Sequence, residues 1–257
     1  MKFFRKTLKL FKTSLKKLSS SKDSANDPII FSDRELQIWR KVKPFTMTSL
    51  ERVVCMIDST EYITTNNIPG AIVECGVWRG GSTMAATISL KMDGEIDRDI
   101  YLYDTFDGMT TPDKMDIRHD GVPAYEIFKN RPKTLDDYYS AFSPLDDVKN
   151  NIFSTDYPKD KIHFVTGKVE DTIPETCPDE IAILRLDTDF YSSTQHELIH
   201  LYPKISPGGI LIIDDYGWWK GARQAVDEYF STLHPKPFLS RIDESGRSCV
   251  KPFFRMD

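Results

Sequence analysis

The chain is short of the residues that most directly advertise chemistry. Its 257 residues include 4 cysteines, Cys55, Cys75, Cys177 and Cys249. None falls in a C-x-x-C spacing, which argues against a zinc knuckle or a redox pair and suits a reducing cytoplasm. The 5 histidines form no H-E-x-x-H. His196 and His200 stand four apart, but two imidazoles alone make a weak metal site, and His119 and His163 read as packed or surface residues. No G-x-S-x-G is present, so no nucleophile elbow is expected. No apolar run reaches a membrane-spanning length. Charges interrupt every apolar stretch near the start, which argues against a cleavable signal. Positive charge is also short: 34 Lys and Arg against 39 Asp and Glu give a net charge of −5. Nucleic acid is therefore not an expected partner of the body.

The positive charge present is concentrated at one end. Lys2, Arg5, Lys6, Lys9, Lys12, Lys16 and Lys17 fall within residues 1–18 with no acid among them, so the remainder carries −12. Phe4, Leu8, Phe11, Leu15 and Leu18 recur at helical spacing. This is a basic amphipathic helix that either touches an anionic membrane surface or a partner, or forms a solvated extension. Residues 1–28 read as this extension and a serine-rich linker, and residues 29–257 as one α/β domain, since a chain of this length buries one sizeable core.

The run Gly70 to Ser82 (GAIVECGVWRGGS) reads as a buried strand, a glycine turn and the start of a helix. Such a turn brings a ligand against bare backbone amides at a positive helix end. It is not the dinucleotide pattern G-x-G-x-x-G, because Trp78 fills the second glycine slot. Glu74, just before the turn, suits a cationic ligand better than a pyrophosphate. S-adenosylmethionine carries an ammonium and a sulfonium and no phosphate.

Upstream, Ser32 and Glu35 form a capping box with a helix to about Val42, and a second helix begins near Thr48. From Gly70 strands alternate with helices. Ala71–Cys75, Ile100–Asp104, Ile162–Val165 (closing on Gly167), Ile181–Asp187 and Gly209–Asp215 are the expected strands. Phe238–Ile242 and Ser248–Phe253 flank a hairpin turn. Near-continuous apolar strands alternating with helices mean a doubly wound, mostly parallel sheet with an antiparallel terminal hairpin. Residues 106–161 interrupt the alternation as a lid or substrate insertion, with a helix expected over 134–150.

Ligands of such sheets bind beyond the carboxyl ends of the strands. Glu74, Asp104, Asp187, Asp214 and Asp215 all fall at those ends and should converge. Asp104 can accept ribose hydroxyls or simply cap the next helix. Asp187, Asp214 and Asp215 offer oxygen ligands for a hard cation such as Mg2+, or serve as turn and cap residues. Asp187 and Asp189 are two apart in an extended segment and so face one cavity. Trp218 and Trp219 either wall a substrate pocket or pack.

Five segments in order resemble the macrocin O-methyltransferase family: PFTMTS from Pro44, VECGVWRGGS from Val73, YDTFDGM from Tyr103, LDTDFYSST from Leu186 and IDDY from Ile213. The likeness spans roughly 45–230. It implies a class I methyltransferase (Rossmann-like) fold with a seven-stranded sheet and helices on both faces, and methylation of a sugar or related hydroxyl. It implies that Asp187, Asp214 and Asp215 hold Mg2+ and that Asp189 is the general base. Glu74, Gly76, Ser82 and Asp104 would line the S-adenosylmethionine site, with Met47 and Thr48 closing over it and Gly167 beside it. The expected acceptor is a small molecule or glycan, and the expected assembly a homo-oligomer. A phenol or catechol acceptor, or a non-catalytic interaction protein on the same shell, are the competing readings. The clustered acids argue against the latter.

Overall fold

Alternation along the strands sets the layers. In the computed structural model, which describes residues 31–134 and 137–252, Ile72, Ile100, Leu102 and Ile212 face one core cluster, and Val73, Cys75, Tyr103, Leu211 and Ile213 face another. Successive residues of a strand point to opposite faces, so each strand feeds both cores. Every residue of β1 (Ala71–Cys75) and β4 (Ile181–Leu186) is buried. Each large aliphatic side chain buried this way contributes about 1.5–3 kcal/mol. The basic stretch 1–18, with its membrane or partner reading, lies outside the described residues.

The sheet has seven strands in the order β3-β2-β1-β4-β5-β7-β6. The remaining strands are β2 (Ile100–Asp104), β3 (Ile162–Thr166), β5 (Ile205–Ile213), β6 (Ser240–Arg241) and β7 (Arg247–Val250). Pairs among β1 to β5 are parallel, and β7 runs antiparallel to both β5 and β6. One core holds α1 (Asp33–Val42), α2 (Leu50–Thr65), α3 (Gly81–Met92) and α5 (Leu145–Phe153) through residues such as Ile38, Ile57, Ala85 and Ile152. The other holds α7 (Tyr191–Leu201) and α8 (Lys220–Ser231) through Leu198, Leu201, Val226 and Phe230. The short α4 (Ala124–Phe128) and α6 (Val169–Thr172) complete the set. No helix among the described residues is long and apolar enough to cross a membrane.

Two local expectations need correction. The fifth strand begins at Ile205 rather than Gly209, and its pairing with β4 shifts register between Ile181 and Ile183. That irregularity accommodates Pro207 and Gly208, which argue against a regular strand. The helix expected over 134–150 starts only at Leu145, after Pro144. Before it, Tyr138–Ser140 is a single 3-10 turn, ended by Ala141 in the left-handed region at φ 45°. The insertion therefore splits: α5 belongs to the core through Val148 and Ile152, and only the part before it borders the site. The helix expected to begin near Thr48 is α2, which starts at Leu50 and is capped by Ser49, whose side chain accepts from the Arg52 N–H. This frees the Thr48 hydroxyl for the site.

Candidate active site

Strand order reverses about β1 and β4, and the carboxyl ends there are level. The N–H groups of Gly76, Asp187 and Asp214 continue the ladders, donating to Tyr103, Cys75 and Leu186 carbonyls at 2.9, 2.8 and 2.9 Å. Gly76 sits at φ +82°, and a Cβ there would stand 2.1 Å from the Asp187 carbonyl oxygen. Glycine is required at this approach. A cavity of about 450 Å³ opens over this edge and is lined by every residue expected from the sequence: Met47, Thr48, Glu74, Gly76, Ser82, Asp104, Gly167, Asp187, Asp189, Asp214 and Asp215. Its size suits a nucleoside-sized ligand.

Asp104 holds the glycine turn. Its Oδ2 accepts the Val77 and Trp78 N–H groups at 2.7 and 3.0 Å, and its Oδ1 accepts Phe106 N–H at 2.8 Å. These are amides of the β1 turn and of the loop after β2 rather than the start of a helix, and Asp104 also borders the cavity. Burial raises its pKa against the pull of those amides.

Glu74 and Arg185 are neighbours in the β1–β4 register, on the same face. Arg185 was missed in the sequence, hidden in an apolar strand. It is buried and donates to Glu74 Oε1 at 2.8 Å, Asp187 Oδ2 at 2.7 Å and Asp214 Oδ1 at 2.5 Å. Thr83 donates to the other Glu74 oxygen. The acid expected to meet a cationic ligand therefore already meets an internal cation. Arg52, also missed, pairs with Asp214 and, at 2.8 Å, with Asp243 from the terminal hairpin. Thr48 donates to Asp214 Oδ1 at 3.2 Å.

Oxygens of Asp187, Asp214 and Asp215 lie within 4.8 Å of one another. Burial would raise Asp214, but Arg185 and Arg52 outweigh it and hold that carboxyl below its ordinary value. Asp187 and Asp215 are pushed well up by burial and by their acidic neighbours. Asp189 is pushed up to about 7 by burial and the Asp187 charge. It does not lie in an extended segment as expected: its φ is +69°, and the loop turns it into the same cavity. Trp219 Nε1 donates to Asp189 Oδ2 at 3.0 Å, while its ring packs on Phe190 and Phe128. Trp219 thus both packs and borders the site, with Trp218 beside it.

The insertion reaches the site through Asp116, which accepts Tyr191 N–H at the start of α7 at 2.8 Å. His119 N–H donates to the Trp218 carbonyl at 2.8 Å. Met109 and Phe128 come from the same insertion to line the cavity.

A family model, Macrocin-O-methyltransferase (TylF), matches residues 4–250. The chain belongs to the macrocin O-methyltransferase family. The match is wider than the 45–230 read from motifs and reaches into the basic N-terminal stretch. Members similar to this chain include the demethyldecarbamoylnovobiocin O-methyltransferase of Streptomyces niveus, 33% identical over 202 residues, covering 78% of this chain and 73% of that protein. Another is the 8-demethyl-8-(2,3-dimethoxy-alpha-L-rhamnosyl)-tetracenomycin-C 4'-O-methyltransferase of Streptomyces olivaceus, 32% identical over 202 residues, covering 78% and 73%. Among solved structures, the O-methyltransferase NovP superposes with a TM-score of 0.71 at 31% identity, covering 81% of this chain and 83% of that one. This macrocin-family chain is accordingly an S-adenosylmethionine-dependent O-methyltransferase on a class I fold.

Proposed function

We propose that the chain methylates a hydroxyl of a sugar carried on a small molecule or glycan, with Mg2+ as a second cofactor. The observation that carries this reading is the convergence of three carboxylates and Asp189 in the cavity that holds the glycine turn. A rhamnosyl group in the name of one relative supports the sugar.

The residues fit a divalent cation. Among the described residues, the acids Glu74, Asp187, Asp189, Asp214, Asp215 and Asp243 of this cluster form ion pairs with two cations only, Arg52 and Arg185. Buried like charges repel unless a cation or protons compensate. Asp215 Oδ2 is buried with no hydrogen-bond partner among the described residues, an orphan acceptor beside the other two acids. An all-oxygen set suits Mg2+ over zinc. Asp187, Asp214 and Asp215 would hold it, and its charge lowers the pKa of a nearby hydroxyl.

Glu74, Gly76, Ser82, Asp104 and Gly167 would line the donor, with Met47 and Thr48 closing over it. When bound, S-adenosylmethionine supplies a methyl group already activated by its sulfonium. Asp189 takes the proton of the acceptor hydroxyl, and Trp219 fixes the orientation of that carboxylate. Trp218, Phe128 and Met109 shield the acceptor from water and align it, a contribution that reaches several kcal/mol, on the order of 7–11 in the best-oriented systems.

Calorimetric titration with S-adenosylhomocysteine, then Mg2+, then EDTA tests the reading. Nucleoside binding with a separate Mg2+ site that vanishes in Asp214→Ala is expected. Absence of nucleoside binding refutes the donor assignment, and unaltered Mg2+ binding in Asp214→Ala refutes the metal assignment. Turnover of glycosides but not catechols is expected in an acceptor panel.

A further inference from the structure

One buried acid lies beneath the site without lining its cavity. Glu197, on α7, has no solvent exposure, and its Oε1 accepts the Thr188 hydroxyl at 2.9 Å. Its Oε2 has no hydrogen-bond partner among the described residues. The thiol of Cys75, the last residue of β1, lies beside it. One carboxyl thus touches the end of β1 and the loop after β4.

That loop is held tightly. The Thr188 carbonyl accepts Phe190 N–H at 2.8 Å and the Ser193 hydroxyl at 3.3 Å. The residue before Thr188 is Asp187 and the residue after it is Asp189, whose φ of +69° is a conformation a non-glycine residue keeps only when its surroundings enforce it. For packing alone, a leucine would fill position 197 without the desolvation cost of an acid. We propose that Glu197 is a positioning residue of the methyl-transfer site: by anchoring Thr188 it presents Asp187 to the metal and Asp189 to the acceptor hydroxyl. The inference rests on the metal and base assignments proposed above. Burial also raises the Glu197 carboxyl well above the ordinary range.

The test compares Glu197→Gln, Glu197→Leu, Thr188→Val and the Leu/Val double variant in the full chain. The readouts are Mg2+ affinity by calorimetry without acceptor, S-adenosylhomocysteine affinity, and kcat and KM at saturating Mg2+. Gln keeps an acceptor for Thr188 and is expected to stay near wild type. Leu is expected to lose about 10–100-fold in Mg2+ affinity or kcat, as loss of an outer partner does at other metal sites. S-adenosylhomocysteine affinity stays unchanged, because Asp104 holds the glycine turn. Thr188→Val reproduces the loss, Thr188→Ser restores it, and the double variant is no worse than either single, the mark of one shared interaction. A merely structural Glu197 would lower Tm while leaving kcat and Mg2+ affinity intact, and additive losses in the double variant also overturn the proposal. If the Leu variant fails to fold, Thr188→Val decides: wild-type values there overturn it. If the wild type binds no Mg2+, the metal reading has failed on its own, and the kcat series still decides the role of Glu197 through Asp189.

Discussion

Arg185→Met removes the one cation shared by Glu74, Asp187 and Asp214. Asp214 keeps Arg52, so the acids left without a cation are Glu74 and Asp187, Glu74 keeping only the Thr83 hydroxyl. Glu74 is 1% exposed, so little solvent reaches it in place of the guanidinium. The Asp187 side chain is 28% exposed and recovers part of its solvation. The loss is therefore closer to one broken buried pair than to two, about 3–5 kcal/mol. For a chain of this size that corresponds to a fall in Tm of roughly 6–20 °C. Burial already raises both carboxyls above their unfolded values, and losing Arg185 raises them further. The native variant then binds more protons than its unfolded chain, so its stability rises as pH falls from neutrality towards the ordinary carboxylate range. Urea unfolding with EDTA at pH 7 and at pH 5 is the assay, and the gap to wild type should narrow in acid. Arg185→Lys keeps the charge but not the three-way fork, and should fall between the two. A gap below about 1 kcal/mol at pH 7, well under the buried-pair range, would refute the reasoning. So would a gap that widens in acid.

Three further outcomes are expected. Asp189→Asn should keep S-adenosylhomocysteine and Mg2+ binding by calorimetry while kcat falls by about 10²–10⁴; full activity on a true acceptor would remove Asp189 as the base. Gly76→Ala puts a Cβ against the Asp187 carbonyl at an unfavourable φ, so Tm should drop and nucleoside binding should vanish, and an unchanged melting curve would contradict the close approach. Under native conditions an alkylating agent should label Cys177 first, by peptide mapping, because Cys75 is buried with its pKa far up, burial pushes the Cys249 thiol up to about 12, and burial also raises the partly exposed Cys55.

The convergence of Glu74, Asp104, Asp187, Asp214 and Asp215 was legible because parallel strands deliver their carboxyl ends to one edge whatever their order. The cations among those acids were not legible. Arg185 reads as a stray charge in an apolar strand until β4 is known to lie beside β1 in the register that sets it opposite Glu74. Arg52 and Asp243 are 191 positions apart, and only the return of the terminal hairpin to the site joins them. The Asp189 turn was hidden because spacing carries no φ; its placement depends on Thr188, Trp219 and the start of α7. The internal arginines also explain how the site tolerates its acids before any cofactor binds. Asp214 is held charged from the side by two guanidiniums and Asp187 shares Arg185 with it, which leaves Asp215, with its orphan oxygen, as the one of the three with no arginine ion pair among the described residues. The two arginines also serve Glu74 and Asp243, so the cluster keeps more acids than cations, an excess that the proposed divalent cation would offset. Without Arg52 and Arg185 the same acids would take up protons more readily, so the residues least visible in the sequence set the charge state of the ones most visible.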